Sequence, residues 1–262
     1  MDRRRPLRRG AVLGVLACLL LAVVGVAPAQ AGVFGIGYTV NTTADAPDEA
    51  TGIVTCRTAA GKCSLRAAIM QVNNIGPDGA YHRIVLPAGT FTLTIEGQDE
   101  DDAETGDLDV YHNTVIEGAG SGKTIIQASS TNAEDGIDRI FDLRAFGVAF
   151  ELHDLTLRRG NSHNDEGGGI RVASFAAVTT LDHVVLTDNH LIDNVGGAIF
   201  SRGELTILDS KVTNMNSGDG AAVWHSGGQV TIRRSTFSGN FTYGGAVHVL
   251  DDATGLIDRS LF

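Results

Sequence analysis

Charged residues recur in register along the second half of this sequence. Asp209, Arg234 and Arg259 follow one another at steps of 25 residues, and Asp154 and His183 occupy the same position in earlier repeats. If the repeats stack, these side chains form a column on an outer wall. An Asp and an Arg on neighbouring repeats, with a carboxylate-bound cation, can take a proton beside the carboxyl of a uronic acid, as in a polysaccharide lyase. Asp209 and Arg234 are therefore catalytic candidates, and a surface ion pair of little energetic value is the alternative.

The acidic run EGQDEDDAETGDLDV offers oxygen ligands at short spacing. Oxygen ligands suit Ca²⁺, and Asp107 and Asp109 are the calcium candidates because a strand follows them. The run lacks the spacing of an EF-hand loop, so an acidic loop that is simply solvated is the alternative. Calcium is the one cofactor that the sequence brings forward.

Other hydrolytic chemistry has less support. A glycoside hydrolase needs two positioned carboxylates, and Asp165, Asp193 and Asp219 lie near glycine pairs without occupying matching positions. No G-x-S-x-G elbow supports a serine nucleophile. The sequence thus favours a non-catalytic protein and keeps a polysaccharide lyase or glycoside hydrolase as the alternative.

The stretch GAGSGKT resembles the end of a phosphate-binding loop. Gly122, Lys123 and Thr124 fit that pattern, but Glu117 stands where its first glycine belongs. The residues that follow, TIIQA, are β-branched and indicate a strand, whereas a phosphate-binding loop runs into a helix. We predict a turn between two strands and no nucleotide binding.

Residues 1–31 have the pattern of a signal peptide. A basic segment, MDRRRPLRRG, precedes the apolar AVLGVLACLLLAVVGVA, and Ala29-Gln30-Ala31 is a cleavage site. The apolar run is long enough for a membrane helix, so an uncleaved anchor is the alternative. No other stretch is apolar enough to span a membrane. We predict a bacterial protein that is secreted or held at the cell surface, and the choice between general and twin-arginine export stays open.

The composition restricts the partners. With 31 Asp and Glu against 20 Lys and Arg, the formal net charge is −11, and removal of the arginine-rich residues 1–31 makes it more negative. An acidic chain without a basic cluster argues against nucleic acid and anionic membranes as partners. Cys56 and Cys63 form a close pair in an exported chain and predict a disulfide. Zinc is excluded there because two further ligands are missing.

The second half repeats about every 25 residues. The segments LHDLTL, LDHVVL, ILDSKV, IRRSTF and IDRSLF alternate with the glycine motifs GGGI, GGAI, GAAV and GGAV. None of the repeats has a helical pattern, so each fits one coil of a parallel β-helix. Turn asparagines precede the glycine motifs and are expected to stack as a ladder: Asn161, Asn189, Asn214 and Asn240. The predicted interior positions are Leu155, Leu157, Ile170, Val184, Leu186, Ile199, Leu205, Ile207, Val223, Val230, Ile232 and Val247.

The first half is less regular but predicts the same architecture. The strand candidates are YTVNTT, RIVLP, TFTLTI, TVIEG, TIIQA and RIFDL. The segment SLRAAIMQVNN predicts a short helix with Ser64 as N-cap and Leu65, Ala68, Ile69 and Val72 on one face. Such a helix would cover the open end of the β-helix. We divide the chain into a signal peptide (1–31), an N-terminal capping region with the first coils (32–113) and β-helix repeats (114–262).

These motifs resemble a known family. CSLRAAI, with IVLPAGTFTLT, TGDLDV and TVIEGAGSGKTIIQA, is similar to the CSLREA-domain family of exported bacterial proteins, and the resemblance implies an all-β, right-handed parallel β-helix of the pectin-lyase-like class. Ala67 replaces the family's Glu, which would complete a capping box, so the motif reads as structural. GGAI with FSGN resembles the repeats of polymorphic outer-membrane proteins, which are surface adhesins. The resemblance implies a non-catalytic surface for adhesion, with an extracellular glycan or surface protein as partner.

The last residues, GLIDRSLF, align with the first strand of a repeat. Phe262 matches the core position of Phe237, and no glycine motif follows it. We expect apolar side chains and strand edges to be uncovered in this coil, since natural solenoids cover such ends. A fragment of a longer β-helix is the favoured explanation, and closure by a partner or by end-to-end self-association is the alternative.

Overall fold

Strands stacked in parallel form three walls around one apolar interior. The structure is a computed structural model that describes residues 33–49, 54–98, 100–163, 165–191, 194–217, 222–242, 245–250 and 252–262. The predicted signal peptide lies outside these residues. Every strand pair of the described residues is parallel.

The walls follow one another along each coil. Wall 1 contains, in spatial order, β1 (Phe34–Thr39), β2 (Tyr81–Val85), β5 (Thr114–Glu117), β8 (Ala149–His153), β11 (Val178–Asp182), β15 (Glu204–Leu208), β19 (Gln229–Arg233) and β23 (Thr254–Asp258). Wall 2 contains β3 (Gly89–Thr92), β6 (Thr124–Gln127), β9 (Thr156–Arg158), β12 (Val185–Thr187), β16 (Lys211–Thr213) and β20 (Thr236–Ser238). Wall 3 contains β4 (Leu108–Val110), β7 (Phe141–Leu143), β10 (Ile170–Val172), β14 (Ile199–Ser201), β18 (Val223–His225) and β22 (Val247–Val249). A short sheet of β13 (His190–Leu191), β17 (Asn216–Ser217) and β21 (Phe241–Thr242) lies between walls 2 and 3 along the chain.

The alternation of side chains along these strands builds the core. The predicted interior residues are all buried except Val247, which is half-buried. Successive side chains of a strand point to opposite faces, so the residues between them point outward. The prediction of an all-β parallel β-helix with one short helix is confirmed. Connections between parallel strands of one sheet are almost always right-handed, which agrees with the handedness that the family resemblance implies.

The first strand differs from the prediction. β1 covers Phe34–Thr39, whereas YTVNTT begins at Tyr38. Glycine disfavours strands, so FGIG does not predict one. Gly35 permits a close approach here, because a Cβ on it would lie 2.7 Å from the His82 ring of β2. The turn prediction for GAGSGKT is confirmed, since the turn ends at Lys123 and Thr124 begins strand β6.

The predicted helix is α1 (Leu65–Ile75). Ser64 is its N-cap, and the Ser64 hydroxyl accepts a hydrogen bond of 3.0 Å from the amide of Ala67. The helix packs on β2, the second strand of wall 1, and on β4, the first strand of wall 3, and thereby covers the interior there. Its predicted apolar face is buried: Leu65, Ala68, Ile69 and Val72.

Arg66 of α1 is fully buried, which the sequence pattern did not indicate. The guanidinium lies 2.7 Å from the Asp45 carboxylate and donates to four backbone carbonyls of the acidic loop before β4. It therefore ties the capping helix to that loop. The acceptors are the carbonyls of Ala103, Thr105, Gly106 and Asp107.

The predicted disulfide is present between Cys56 and Cys63, immediately before α1. We expect Cys56→Ser/Cys63→Ser to lower the free energy of unfolding by roughly 2–3 kcal/mol, because the bond closes a short loop in the unfolded chain. Urea denaturation measures the loss. Reductant should reproduce it in the wild type and have no further effect on the double variant. Equal stability of the two proteins without reductant would contradict the expectation.

Serines, and not asparagines, form the regular polar ladder at the corner between walls 1 and 2. The hydroxyls of Ser210, Ser235 and Ser260 accept hydrogen bonds of 3.0–3.2 Å from backbone amides of the preceding coil. Ser210 and Ser235 are almost fully buried, so these bonds satisfy amides that water cannot reach.

The predicted ladder of four asparagines does not form. The register of the short sheet places Asn189 and Asn240 at equivalent positions, with Met215 between them. Asn161 lies one position later and Asn214 one position earlier, because the distance from the preceding core residue differs between repeats. The two aligned side chains still bond backbone amides of the preceding coil, at 2.9 and 3.1 Å.

The last coil carries exposed apolar side chains, as expected. Phe262 is 54% exposed although its ring stacks on Phe237 at 4.8 Å. What covers this surface stays a prediction. The other exposed apolar residues of the coil are Val249, Leu250, Leu256, Ile257 and Leu261.

Candidate functional site

The column predicted from the sequence lies at the corner between walls 1 and 2. All five residues of the column have a positive φ, between 47° and 56°. Each directly follows the last residue of its wall 1 strand: Asp154, His183, Asp209, Arg234 and Arg259. Asp and His tolerate this left-handed conformation better than most residues, and the two Arg residues there repeat the same turn. The column is therefore a consequence of the turn geometry.

Asp209 and Arg234 form a bidentate ion pair with distances of 2.7 and 2.6 Å. Their hydrogen bonds lower the pKa of the Asp209 carboxyl and raise the pKa of the Arg234 guanidinium. An arginine whose pKa is raised is a poor proton acceptor. The geometry thus matches the surface ion pair, and the catalytic role of these residues stays a prediction that this contact does not favour.

A cluster of possible metal ligands adjoins this pair. Ligand atoms of Asp182, His183 and Asp209 lie within 4.8 Å of one another. His183 Nδ1 lies 2.8 Å from Asp182, and the Asp209 carboxylate is occupied by Arg234. An ion would have to displace that guanidinium, so the cluster carries no assignment.

The calcium candidates are not exposed ligands. Asp107 is 5% and Asp109 0% exposed, so the solvated-loop interpretation is wrong for these two residues. Asp107 faces Arg139 at 3.3 Å, and Asp109 accepts a hydrogen bond of 3.0 Å from the amide of Ala103. Among the described residues, no third carboxylate or His completes a ligand group around them within 4.8 Å. Calcium binding stays a prediction.

Asp107 directly, and Asp109 through its register neighbour Asp142, adjoin a buried charge network centred on Arg139. Its guanidinium lies 2.9–3.7 Å from the carboxylates of Asp107, Asp138, Asp142 and Asp165. Asp165 was a hydrolase candidate, and the structure assigns it to this network. Asp193 and Asp219, the other two, lie outside the described residues.

Negative charge exceeds positive charge inside this network. Burial raises the pKa of Asp109 to about 7 and that of Asp138 to about 6, and it raises the pKa of Asp107 well above its ordinary value. One carboxylate oxygen of Asp109 and one of Asp142 are buried without a hydrogen-bond partner. Burial without a partner disfavours the ionised form, so these acids hold protons more tightly than exposed ones.

The outward residues of wall 3 change from charged to aromatic from the N-terminal to the C-terminal coils. The register aligns one residue of each strand: Asp109, Asp142, Arg171, Phe200, Trp224 and His248. The first three of these residues are charged. The last three carry aromatic rings.

The rings contact one another directly. Trp224 stacks on His248 with 4.1 Å between ring centroids and an angle of 6° between planes. The Arg202 guanidinium lies 5.2 Å from the Phe200 centroid and 5.9 Å from that of Phe175, within cation–π range. Phe175 extends across the next coil to Gly227, where a Cβ would lie 2.9 Å from its ring.

Exposed rings continue along the corner between walls 3 and 1. Phe146 is 88% and Phe175 68% exposed, each three residues after the last strand residue of its coil in wall 3. Tyr111 follows β4 in an earlier coil at the same corner. We call this series the aromatic track: Tyr111, Phe146, Phe175, Arg202, Phe200, Trp224 and His248.

At its N-terminal end the track opens into a cavity of about 800 Å³, here the N-terminal cavity. The end of α1, the acidic loop and two corners of the coils surround it. The Tyr111 hydroxyl donates to the carbonyl of Asp101 at 2.6 Å, and burial together with nearby carboxylates raises the pKa of Tyr111 to about 12. The lining includes Asp78, Asp102, Glu104, Tyr111, His112 and Phe146.

Sequence reasoning missed the aromatic track although the signal was present. The glycine motifs read GGGIR, GGAIF, GAAVW and GGAVH, and the residue after each inward Ile or Val must point outward. That residue is Arg171, Phe200, Trp224 or His248.

Comparisons with known proteins are sparse. No protein-family model and no curated protein matches the chain, so the resemblance to the CSLREA-domain family stays a prediction. Among solved structures, the A-module of mannuronan C-5 epimerase AlgE4 from Azotobacter vinelandii is similar, with 14% identity, a TM-score of 0.22, and coverage of 81% of this chain and 94% of that one. A likeness this weak says nothing about the chemistry of this chain. None of the helices in the described ranges is long and apolar enough to cross a membrane.

Proposed function

We propose that the protein is an exported, non-catalytic β-helix that binds glycan chains along the aromatic track. The observation that carries the proposal is the stacking of Trp224 and His248 in register with Phe200, next to the exposed Phe175. Phe200 is buried beneath this surface, Trp224 and His248 are half-buried, and Phe175 is exposed. Solitary exposed rings need no explanation, but a row of partly exposed rings on neighbouring coils marks a binding surface.

The spacing of the track fits a linear polymer. Neighbouring coils lie about 4.8 Å apart, so the rings of the track recur at a regular interval. The electron-rich face of an aromatic ring attracts polarised C–H groups, which sugar rings expose on their apolar faces. Arg202, held over two Phe rings and 40% exposed, adds hydrogen-bond donors for hydroxyl or carboxylate groups. A glycan offers both kinds of group at every unit.

Other features of the sequence indicate where this surface would be located. Residues 1–31 would export the chain, and the disulfide suits an oxidising compartment. A surface for adhesion at the bacterial cell surface follows from that location. A polysaccharide lyase or hydrolase acting on acidic polysaccharide through Asp209 and Arg234 stays the alternative.

We expect Trp224→Ala to weaken binding to polysaccharide about tenfold, because it removes the central stacked ring. Affinity electrophoresis against a panel of neutral, acidic and amino polysaccharides first identifies a bound polymer, and calorimetry then gives the dissociation constants. Phe241→Ala is the matched control, since Phe241 is a 74% exposed ring on the short sheet, away from the track. Equal losses for both variants, or no retardation by any polymer, would overturn the proposal.

A further inference from the structure

The N-terminal cavity has a one-sided charge. Its lining contains three carboxylates, Asp78, Asp102 and Glu104, and no Lys or Arg. In the described part of the chain, the structure pairs neither the Asp102 nor the Glu104 side chain with a cation, and both residues are exposed to solvent. The Arg144 guanidinium is bound to Asp101 and Asp142, and the Arg66 guanidinium is bound to Asp45. A bound group of positive charge would therefore meet unpaired carboxylates.

A backbone hydrogen bond favours the ionised form of Asp78. The backbone amide of Ala80 donates to Asp78 at 2.8 Å and lowers the pKa of that carboxyl. The imidazole of His112 has a lowered pKa because of burial, so it adds no positive charge near neutrality.

Rings line the same space. Tyr111 and His112 are half-buried and Phe146 is exposed, and all three border the cavity. Aromatic faces attract organic ammonium groups as well as apolar surface. A volume of about 800 Å³ is that of an organic ligand site and far exceeds the space of one metal ion. Calcium would need six to eight oxygen ligands, roughly 2.3–2.6 Å from the ion, and no such cage is formed by the described carboxylates.

We propose that the N-terminal cavity binds the protonated amine of an amino sugar at one end of the glycan held by the aromatic track. The inference rests on the proposed function, since the cavity opens at Tyr111 and Phe146, where the track begins. Carboxylates beside aromatic rings recognise an ammonium group, and the track holds the adjoining sugar units. The proposal thus names a class of glycan, one that contains unacetylated amino sugars.

Two oligosaccharides of equal length test this directly. The hexamer of glucosamine and the hexamer of N-acetylglucosamine differ only in the acetyl group on nitrogen, which removes the positive charge. At pH 6 we expect the glucosamine hexamer to bind about tenfold tighter by calorimetry. The preference should shrink when salt screens the exposed carboxylates, and it should fall at higher pH as the amine loses its proton.

Substitutions in the cavity test whether its carboxylates cause the preference for the glucosamine hexamer. Asp102→Asn/Glu104→Gln should reduce the ratio of the two affinities to near one and leave the affinity for the acetylated hexamer unchanged. Glu134→Gln is the matched control, since Glu134 is an exposed carboxylate outside the cavity and should leave the ratio unchanged. Both carboxylates are exposed, so the double variant should fold, which circular dichroism checks.

The outcomes separate the two proposals. Equal affinity for the two hexamers would overturn the amino-sugar inference and leave glycan binding on the track intact. A preference that survives Asp102→Asn/Glu104→Gln would also overturn the assignment to this cavity. Failure of every hexamer and of the whole polysaccharide panel to bind would instead remove the proposed function itself.

Discussion

Replacement of Arg66 by Met is expected to lower the free energy of unfolding by about 3–5 kcal/mol. The guanidinium is fully buried and is bonded to the Asp45 carboxylate, whose side chain is only 2% exposed. Met fills a similar volume but donates no hydrogen bond, so the buried carboxylate loses its counter-charge and four loop carbonyls lose a donor. Urea denaturation followed by circular dichroism measures the change.

A surface arginine provides the control. Arg83 forms an ion pair with Glu117, and its side chain is 49% exposed, so Arg83→Met should leave the unfolding midpoint nearly unchanged. Both variants remove one positive charge, so the difference between their unfolding midpoints reports the effect of burying the guanidinium. Similar midpoints for Arg66→Met and Arg83→Met would refute the role assigned to Arg66.

Removal of the titrating group of Asp109 should change how stability depends on pH. The pKa of this carboxyl is about 7 in the folded chain, raised by burial and then by Asp142, Glu100 and Asp101, against about 4 in the unfolded chain. Hydrogen bonding from the Ala103 amide opposes the rise. Because the folded form binds the proton more tightly, this stabilisation is full below pH 4 and is lost as the pH rises through 7.

The wild type should therefore lose about 2–4 kcal/mol of stability through this group between pH 5 and pH 8. Asp109→Asn keeps an oxygen for the Ala103 amide and cannot ionise, so it should be the more stable protein at pH 8 and similar at pH 5. Asp135→Asn, at an exposed acid, should not alter the pH profile. Parallel profiles for the wild type and Asp109→Asn would contradict the expectation.

The fold could be predicted because each repeat has the same pattern of inward apolar residues and turn residues. Inward residues such as Leu186 and Ile199 recur at fixed positions, and Ser64 with the apolar face behind it specifies a capped helix. The asparagine ladder was wrong for a local reason as well. The connection from wall 2 to the short sheet has the same length in these coils, but Asn161 and Asn214 stand at different positions within it, and alignment of sequence motifs does not detect that difference.

The candidate site was harder to predict because it depends on contacts between distant segments. Asp107 and Asp109 look like surface ligands in the sequence, and only the packing of Arg139 and Ala103 over them shows that they are buried. The aromatic track was missed although its pattern is local. Its wall 3 residues, Phe200, Trp224 and His248, are in register and obey the alternation rule, but the sequence alone gives no weight to outward positions.

The equal length of the later coils has a consequence for how such a protein can change over generations. Ile207, Ile232 and Ile257 are paired in register at intervals of 25 residues, so one coil can be copied or deleted in the gene without disturbing the strand pairing on either side. Each added copy would lengthen the row of rings by one step. Copy number, and not the mutation of single contacts, would then set how many sugar units the surface can hold.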